Sequence, residues 1–295
     1  MLVEKHKLIR SEPIASQDHE GLISIFAERL GVACELAVSL GDNMIKQTNF
    51  KTWSEFKRLI FDKLFLVNPI QRGRFLFRGQ KNPEWKLSST FDRSFLGVKG
   101  GKRSRIEQEL INHFKQECQS ESNLKELLTD EVSTLALAQH FGLPTRLLDW
   151  SESPYVAAFF AFQHAVFAFQ GTIDSFCPEE NVAIWALDSN HYIWSESQGV
   201  QIVSPPTWEN TRMRNQSGKF TLSRTPFRSL QEYVENCEDA DEALQLFLIP
   251  GKEAQKAIAD LDLMGINNGT MFPDLGGKAK AAISKVVLGA KTRES

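Results

Sequence analysis

Two short segments of this 295-residue chain set charged side chains inside strongly apolar runs, and they constrain its fold more than any other feature. The first is Phe77-Arg78-Gly79-Gln80, which closes the run Phe75-Leu76-Phe77. The second runs Gln139-His140-Phe141-Gly142-Leu143-Pro144-Thr145-Arg146-Leu147-Leu148-Asp149-Trp150. A charge in such surroundings is costly unless it is paired, hydrogen-bonded or neutralised. Arg78, Arg146 and Asp149 therefore either lock a core or form a site.

The bulk of the chain supplies the core. At 42% hydrophobic and with 21 Phe against 3 Tyr, it has the material for one large, dry domain with appendages. The formal charge of −3 gives no global reason to expect nucleic-acid binding. Cys34, Cys118, Cys177 and Cys237 stand far apart without metal spacing, so isolated thiols in a reducing compartment are expected and no metal site. The N-terminus lacks a secretory apolar stretch. The longest apolar run, Val156 to Phe169, is too short to span a bilayer and reads as a buried helix. The expectation is a cytoplasmic protein without membrane contact, of undetermined oligomeric state.

Patterning suggests an α+β chain with helices early and a mixed or antiparallel sheet built largely from the second half. Residues 1–50 read as an N-terminal helical extension, with Leu22 to Leu40 as its helix. Residues 51–275 form the main domain, and 276–295 a C-terminal helix and tail. Thr52-Trp53-Ser54-Glu55 resembles a capping box opening a helix from Trp53 to Leu66. Arg74 to Arg78 is a short strand, and Leu87 to Phe91 a second extended piece. Helices follow over Ile106 to Cys118 and Leu124 to Phe141, the latter stopped by Gly142 and Pro144. Thr145 to Asp149 reads as a turn or a short helix. Ser153-Pro154 starts the buried helix. Strands are expected at Asn181 to Leu187, Gly199 to Ser204, Phe220 to Leu222 and Leu246 to Ile249, with helices over Glu253 to Met264 and Gly277 to Leu288.

Arg78 on a strand end can clamp a phosphate or carboxylate bidentately, with Gly79 permitting close approach of a neighbour or ligand. Its alternative is a structural pair with Asp149 or Asp92. If the second segment were helical, Arg146 and Asp149 would share a face and pair. His140, in the last helical turn where the dipole favours a cation, would join Thr145, Arg146 and Asp149 around a polar pocket, unless this is a core-locking pair. Gln216, ahead of Gly218 and a strand, could point into a cleft or sit in a solvated turn. The basic loop Lys99, Lys102, Arg103 and Arg105 reads as solvated. The absence of GxGxxG, Walker, HExxH and GxSxG patterns excludes the common nucleotide-binding loops, zincins and α/β-hydrolases at the level of motif.

With Trp85-Lys86-Leu87, Arg93, Pro154, the Ala157-Ala158-Phe159-Phe160-Ala161 helix and Arg212 to Phe220, these two segments resemble the FRG domain family, over about Trp53 to Phe169 and weakly as far as Leu275. The resemblance implies an intracellular, mostly bacterial protein, some relatives being linked to phage defence, and defines a domain more than an activity. A rougher similarity to ADP-ribosyltransferase patterns implies an enzyme acting on NAD or another nucleotide. Arg78, with Gly79 and Gln80, would then grip phosphate, and Ser89 in Ser88-Ser89-Thr90 would shape the nicotinamide site. His140, Arg146, Asp149 and Gln216 would be the catalytic set. Gln216 stands where such enzymes carry Glu, which departs from that chemistry. The alternatives are a non-catalytic sensor for a phosphorylated small ligand or nucleic-acid end, and a purely structural motif.

Overall fold

The computed structural model describes residues 45–65, 71–167, 180–204, 216 and 218–291. The helix expected over Leu22 to Leu40, and the Arg212 to Asn215 stretch, lie outside the described residues. Residues 43–295 form one compact unit.

Seven strands make a single mixed sheet: β1 (Lys46–Asn49), β2 (Phe75–Gln80), β3 (Leu147–Ser151), β4 (Asn181–Asp188), β5 (Val200–Val203), β6 (Gly218–Ser223) and β7 (Leu244–Pro250). Their spatial order is β1-β7-β4-β2-β3-β6-β5. Among the described residues only the β1–β7 pair is parallel; the other pairings are antiparallel. The fold is α+β, as the patterning suggests. β1, within the stretch read as an N-terminal helical extension, is an edge strand that the polar sequence Lys-Gln-Thr-Asn does not announce.

The helices are α1 (Trp53–Leu64), α2 (Thr90–Ser94), α3 (Lys102–Glu117), α4 (Glu131–His140), α5 (Pro154–Phe167), α6 (Leu230–Glu235), α7 (Ala254–Leu263), α8 (Asn268–Met271) and α9 (Leu275–Lys291). Thr52 caps α1 as expected, accepting from Glu55 N at 3.1 Å, while the Glu55 carboxylate takes the Lys51 N–H at 2.6 Å rather than that of Thr52. Three readings change. Leu87 to Phe91 is not extended throughout, because Ser89 caps α2 by accepting from Asp92 N at 3.1 Å. α4 starts only at Glu131, since Asp130 accepts the Ser133 N–H at 2.7 Å and opens the helix there. The stretch Thr145 to Asp149 is neither turn nor helix. Leu147 to Ser151 is a strand, because β6 pairs with it along its whole length.

Apolar side chains cover both faces of the sheet. On one, α1, α5 and α7 bury Trp53, Phe56, Phe159, Phe162 and Ile258 against Phe75, Phe77, Ile184 and Phe247. On the other, Leu76, Leu148, Trp150 and Trp185 pack with Tyr233 and Val234 of α6. The α5 backbone packs directly on Gly79. A Cβ there would lie 1.8 Å from the Ala157 carbonyl oxygen and 2.8 Å from Ala161 N. The close approach that Gly79 permits is therefore that of the α5 backbone. Gly79→Ala should lower stability by about 1–3 kcal/mol, the usual cost of overpacking, read as a lower urea midpoint at unchanged m-value. An unchanged midpoint would show that α5 is not seated as described.

Candidate functional site

The sheet is weakest between β2 and β3. A single residue pair, Phe77 with Ser151, joins them. Continuing that register would set Gly79 against Asp149, but the strands part, and a cleft of about 780 Å³ opens where they do. Arg78 spans the gap. Its Nη1 donates to the Asp149 carbonyl oxygen at 2.8 Å, and the Asp149 carboxylate lies 3.7 Å away. A side chain thus stands in for a missing rung of the ladder. The Nε of Arg78 is buried without an acceptor, and Nη2 has none among the described residues. Burial lowers the Arg78 pKa, the Asp149 charge opposes that, and Arg93 adds to it. Arginine remains a cation regardless.

A chain of hydrogen bonds within the second motif fixes Asp149. Thr145 Oγ1 donates to Gln139 Oε1 at 2.5 Å, and Gln139 Nε2 donates to Asp149 Oδ1 at 3.0 Å. Thr145 is fully buried and is held by Phe91 N donating to its carbonyl oxygen at 3.1 Å. The turn at Gly142, φ +91°, brings the end of α4 back beside β3, and there a residue with a Cβ would be strained. Gln80 is fixed in the same way: Trp185 Nε1 donates to its Oε1 at 2.9 Å, and its amide reaches Lys86 O at 3.4 Å.

The structure divides the expected site residues. Arg78, Gly79, Gln80, Asp149 and Gln216 line the cleft. Arg146, Ser89 and His140 do not line it. Arg146 sits in a bend just before β3 and Asp149 within it, and the two do not pair. Arg146 instead lies 3.2 Å from Glu107 and over the Phe91 ring at 5.3 Å. The neighbouring Arg103 pairs with Asp92, both about 95% buried, and donates to Pro226 O at 2.6 Å. Ser89 belongs to this cluster, donating to Asp92 at 2.7 Å. Arg146 thus has the core-locking role, and Asp92 is the partner of Arg103, not of Arg78. His140 is exposed, edge-on to Phe141. Gln216 donates to Met271 O at 3.0 Å, and its own carbonyl accepts from Ser151 Oγ at 2.8 Å.

Of the Ser88-Ser89-Thr90 piece it is Ser88 that lines the cleft, which also collects residues that the motifs did not single out as a site: Trp85, Lys86, Arg93, Gln163 and His164. A signal for His164 was present. Gln163-His164 interrupts the long apolar run, and Ala157, Phe160 and His164 recur at helical spacing on the α5 face toward the cleft. Burial pushes the His164 imidazole below its ordinary 6.5, helped by Lys81 and Lys280.

Residues 73–167 match the model of the FRG domain family, and the chain carries an FRG domain. The matched span is narrower than the Trp53 to Phe169 resemblance. No curated protein and no solved structure matches the chain. Among the described residues no cluster of three or more His, Cys, Asp or Glu could hold a metal ion, and no helix is long and apolar enough to cross a membrane.

Two outcomes follow from this division of labour. Arg103→Met strands the Asp92 carboxylate in the core and should cost about 3–5 kcal/mol in denaturant unfolding. Asp149→Asn, at a side chain 62% exposed, should cost less than about 1 kcal/mol. Equal losses would contradict the separation of core pair from cleft. In a pH titration followed by NMR, the His164 imidazole should protonate with a midpoint below 6.5. The unfolded chain then takes up that proton first, so His164 subtracts stability as pH falls through 6.5 and contributes nothing above it. A midpoint at or above 6.5 would show that the ring is not desolvated beside cations.

Proposed function

We propose that the cleft binds a phosphorylated, ring-bearing small molecule of the NAD or nucleotide class, with Arg78 as its phosphate grip. The observation that carries this reading is the guanidinium itself. Nη1 meets a protein acceptor at 2.8 Å and Nε is buried, while Nη2 meets no acceptor among the described residues and is left for the charge-assisted oxyanion contact that arginine makes well. The walls suit the remainder of such a ligand. Trp85, 47% exposed, offers a stacking face, and Ser88 and Gln163 offer hydrogen bonds to hydroxyls and ring edges.

A nucleotide-directed enzyme is the first reading of this site. Asp149, Glu84 and His164 line the same cleft as Arg78, which supplies two carboxylates and an imidazole that is neutral near pH 7 for proton transfer or for stabilising a developing cation. In the phage-defence setting that the resemblance implies, consumption of NAD or a nucleotide is the corresponding role. The second reading, a sensor without turnover, is favoured by Gln216, whose amide is spent on Met271 O and which offers no carboxylate.

A thermal-shift series with NAD, ADP-ribose, ATP and inorganic pyrophosphate tests the site, and chromatography of the NAD incubation tests turnover. A saturable upward shift is expected, lost in Arg78→Gln and retained in part in Arg78→Lys. Trp85→Ala should weaken affinity roughly tenfold, within the 1–3 kcal/mol typical of base stacking on an aromatic ring, while leaving the unliganded melting point within about 1 °C. A shift unaffected by both Arg78 and Trp85 variants would overturn this assignment.

A further inference from the structure

The cleft continues outward onto a strongly basic surface. Between residues 81 and 105, Lys81, Lys86, Arg93, Lys99, Lys102 and Arg105 are all exposed. The acids of this stretch are Glu84 and Asp92, and Asp92 is consumed inside the core by Arg103. This surplus of positive charge stands out in a chain whose net charge is −3. It is also contiguous with the site. Lys86, Arg93 and Leu96 line the cleft, and Lys99 follows Leu96 by three residues, so it lies within about 11 Å along the backbone. Lys102 and Arg105 succeed it at the start of α3. Arg105 makes one exposed bond, to Glu109 at 2.8 Å, of the kind that water and salt largely dissolve.

Aromatic and apolar side chains interleave with these cations. Trp85 stands between Lys81 and Lys86, with the Lys81 ammonium 5.3 Å from its ring centre. Leu96, 67% exposed, separates Arg93 from Lys99. A planar stacking surface set among exposed cations is the arrangement that binds single-stranded nucleic acid without reading its sequence. Successive bases and phosphates use both elements at once, the bases on the indole face and the phosphates on the cations.

We infer that the ligand of the cleft is the phosphorylated end of a single-stranded nucleic acid, its terminal nucleotide seated at Arg78 and its following phosphates running past Arg93 onto Lys99, Lys102 and Arg105. The inference rests on the nucleotide reading of the cleft and extends it from a mononucleotide to a polymer. It explains why a loop that follows the cleft wall is basic in an acidic chain.

Fluorescence anisotropy of the full chain with labelled RNA and DNA strands of about 12 nucleotides, a length within the range one such binding surface covers, tests it. The strands carry 5′-phosphate, 3′-phosphate or only hydroxyl ends, and AMP and ADP-ribose are measured alongside by calorimetry. The variant combines Lys99→Gln, Lys102→Gln and Arg105→Gln, none of which lines the cleft. A phosphorylated strand is expected to bind at least tenfold more tightly than AMP. In the triple variant strand affinity should fall at least tenfold at low salt, and the slope of log K against log salt should flatten by about 2, the loss expected for three phosphate contacts on a single strand. AMP affinity should be unchanged. The inference is overturned, with the cleft reading intact, if AMP binds and the strands bind no better, if the triple variant keeps full strand affinity, or if poly-glutamate of equal charge displaces the strand as well as an unlabelled oligonucleotide does. Failure of AMP, ADP-ribose and every strand to bind overturns both.

Discussion

The contact between the Arg78 guanidinium and the backbone carbonyl of Asp149 is what the rest of this site depends on. The sheet needs continuity across β2 and β3, yet a continuous ladder there would close the cleft. A single residue pair and one side-chain rung resolve that conflict. The strands stay linked while their ends splay, and the linking group is a cation with donors to spare. A neutral side chain of similar length would serve the ladder but not an anion. A lysine would carry the charge, but without the planar fork that lets one N–H bind the carbonyl while others remain free.

The surrounding polar residues sort into two groups. Toward the cleft, Thr145 and Gln139 hold the Asp149 carboxylate beside Arg78. Away from the cleft, Arg146, Glu107, Arg103 and Asp92 form a second ionic cluster closed over by Phe91 and by the carbonyls of Pro226 and Phe227. Burial pushes the Glu107 carboxyl up, with Arg146 and Arg224 opposing, and lowers the Arg146 pKa. Both shifts express a desolvation cost that pairing offsets only in part. The motif thus sends Arg146, just before β3, into a buried ionic cluster and Asp149, within β3, to the cleft.

Much of this was legible in the sequence, and the gaps have physical causes. The meeting of Arg78 with Asp149 followed from two charges embedded in apolar runs, each requiring a partner. The pairing of Arg146 with Asp149 failed because Leu147-Leu148-Asp149-Trp150-Ser151 is too short for its period to separate helix from strand, and β3 takes its form from β6, which lies some seventy residues further along the chain. Ser89 and His140 drew attention as polar residues near motifs. Ser89 is spent on capping a five-residue helix, and His140 sits on the outer side of the turn that aims Gln139 inward. β1 has no apolar alternation because it is an exposed edge that follows β7 by backbone hydrogen bonding. The cleft walls from Trp85, Arg93 and His164 are long-range features, since they come together only once α5 is seated on Gly79.

The most direct test is a crystal structure of the protein with ADP-ribose, measured by the distance from the nearest phosphate oxygen to the Arg78 guanidinium. A phosphate oxygen within about 3.2 Å of an Arg78 nitrogen, with the bond from Nη1 to the Asp149 carbonyl retained, is the result this account predicts. An ordered ligand whose phosphates avoid Arg78, or an Arg78 that abandons Asp149 without the sheet opening further, would contradict it.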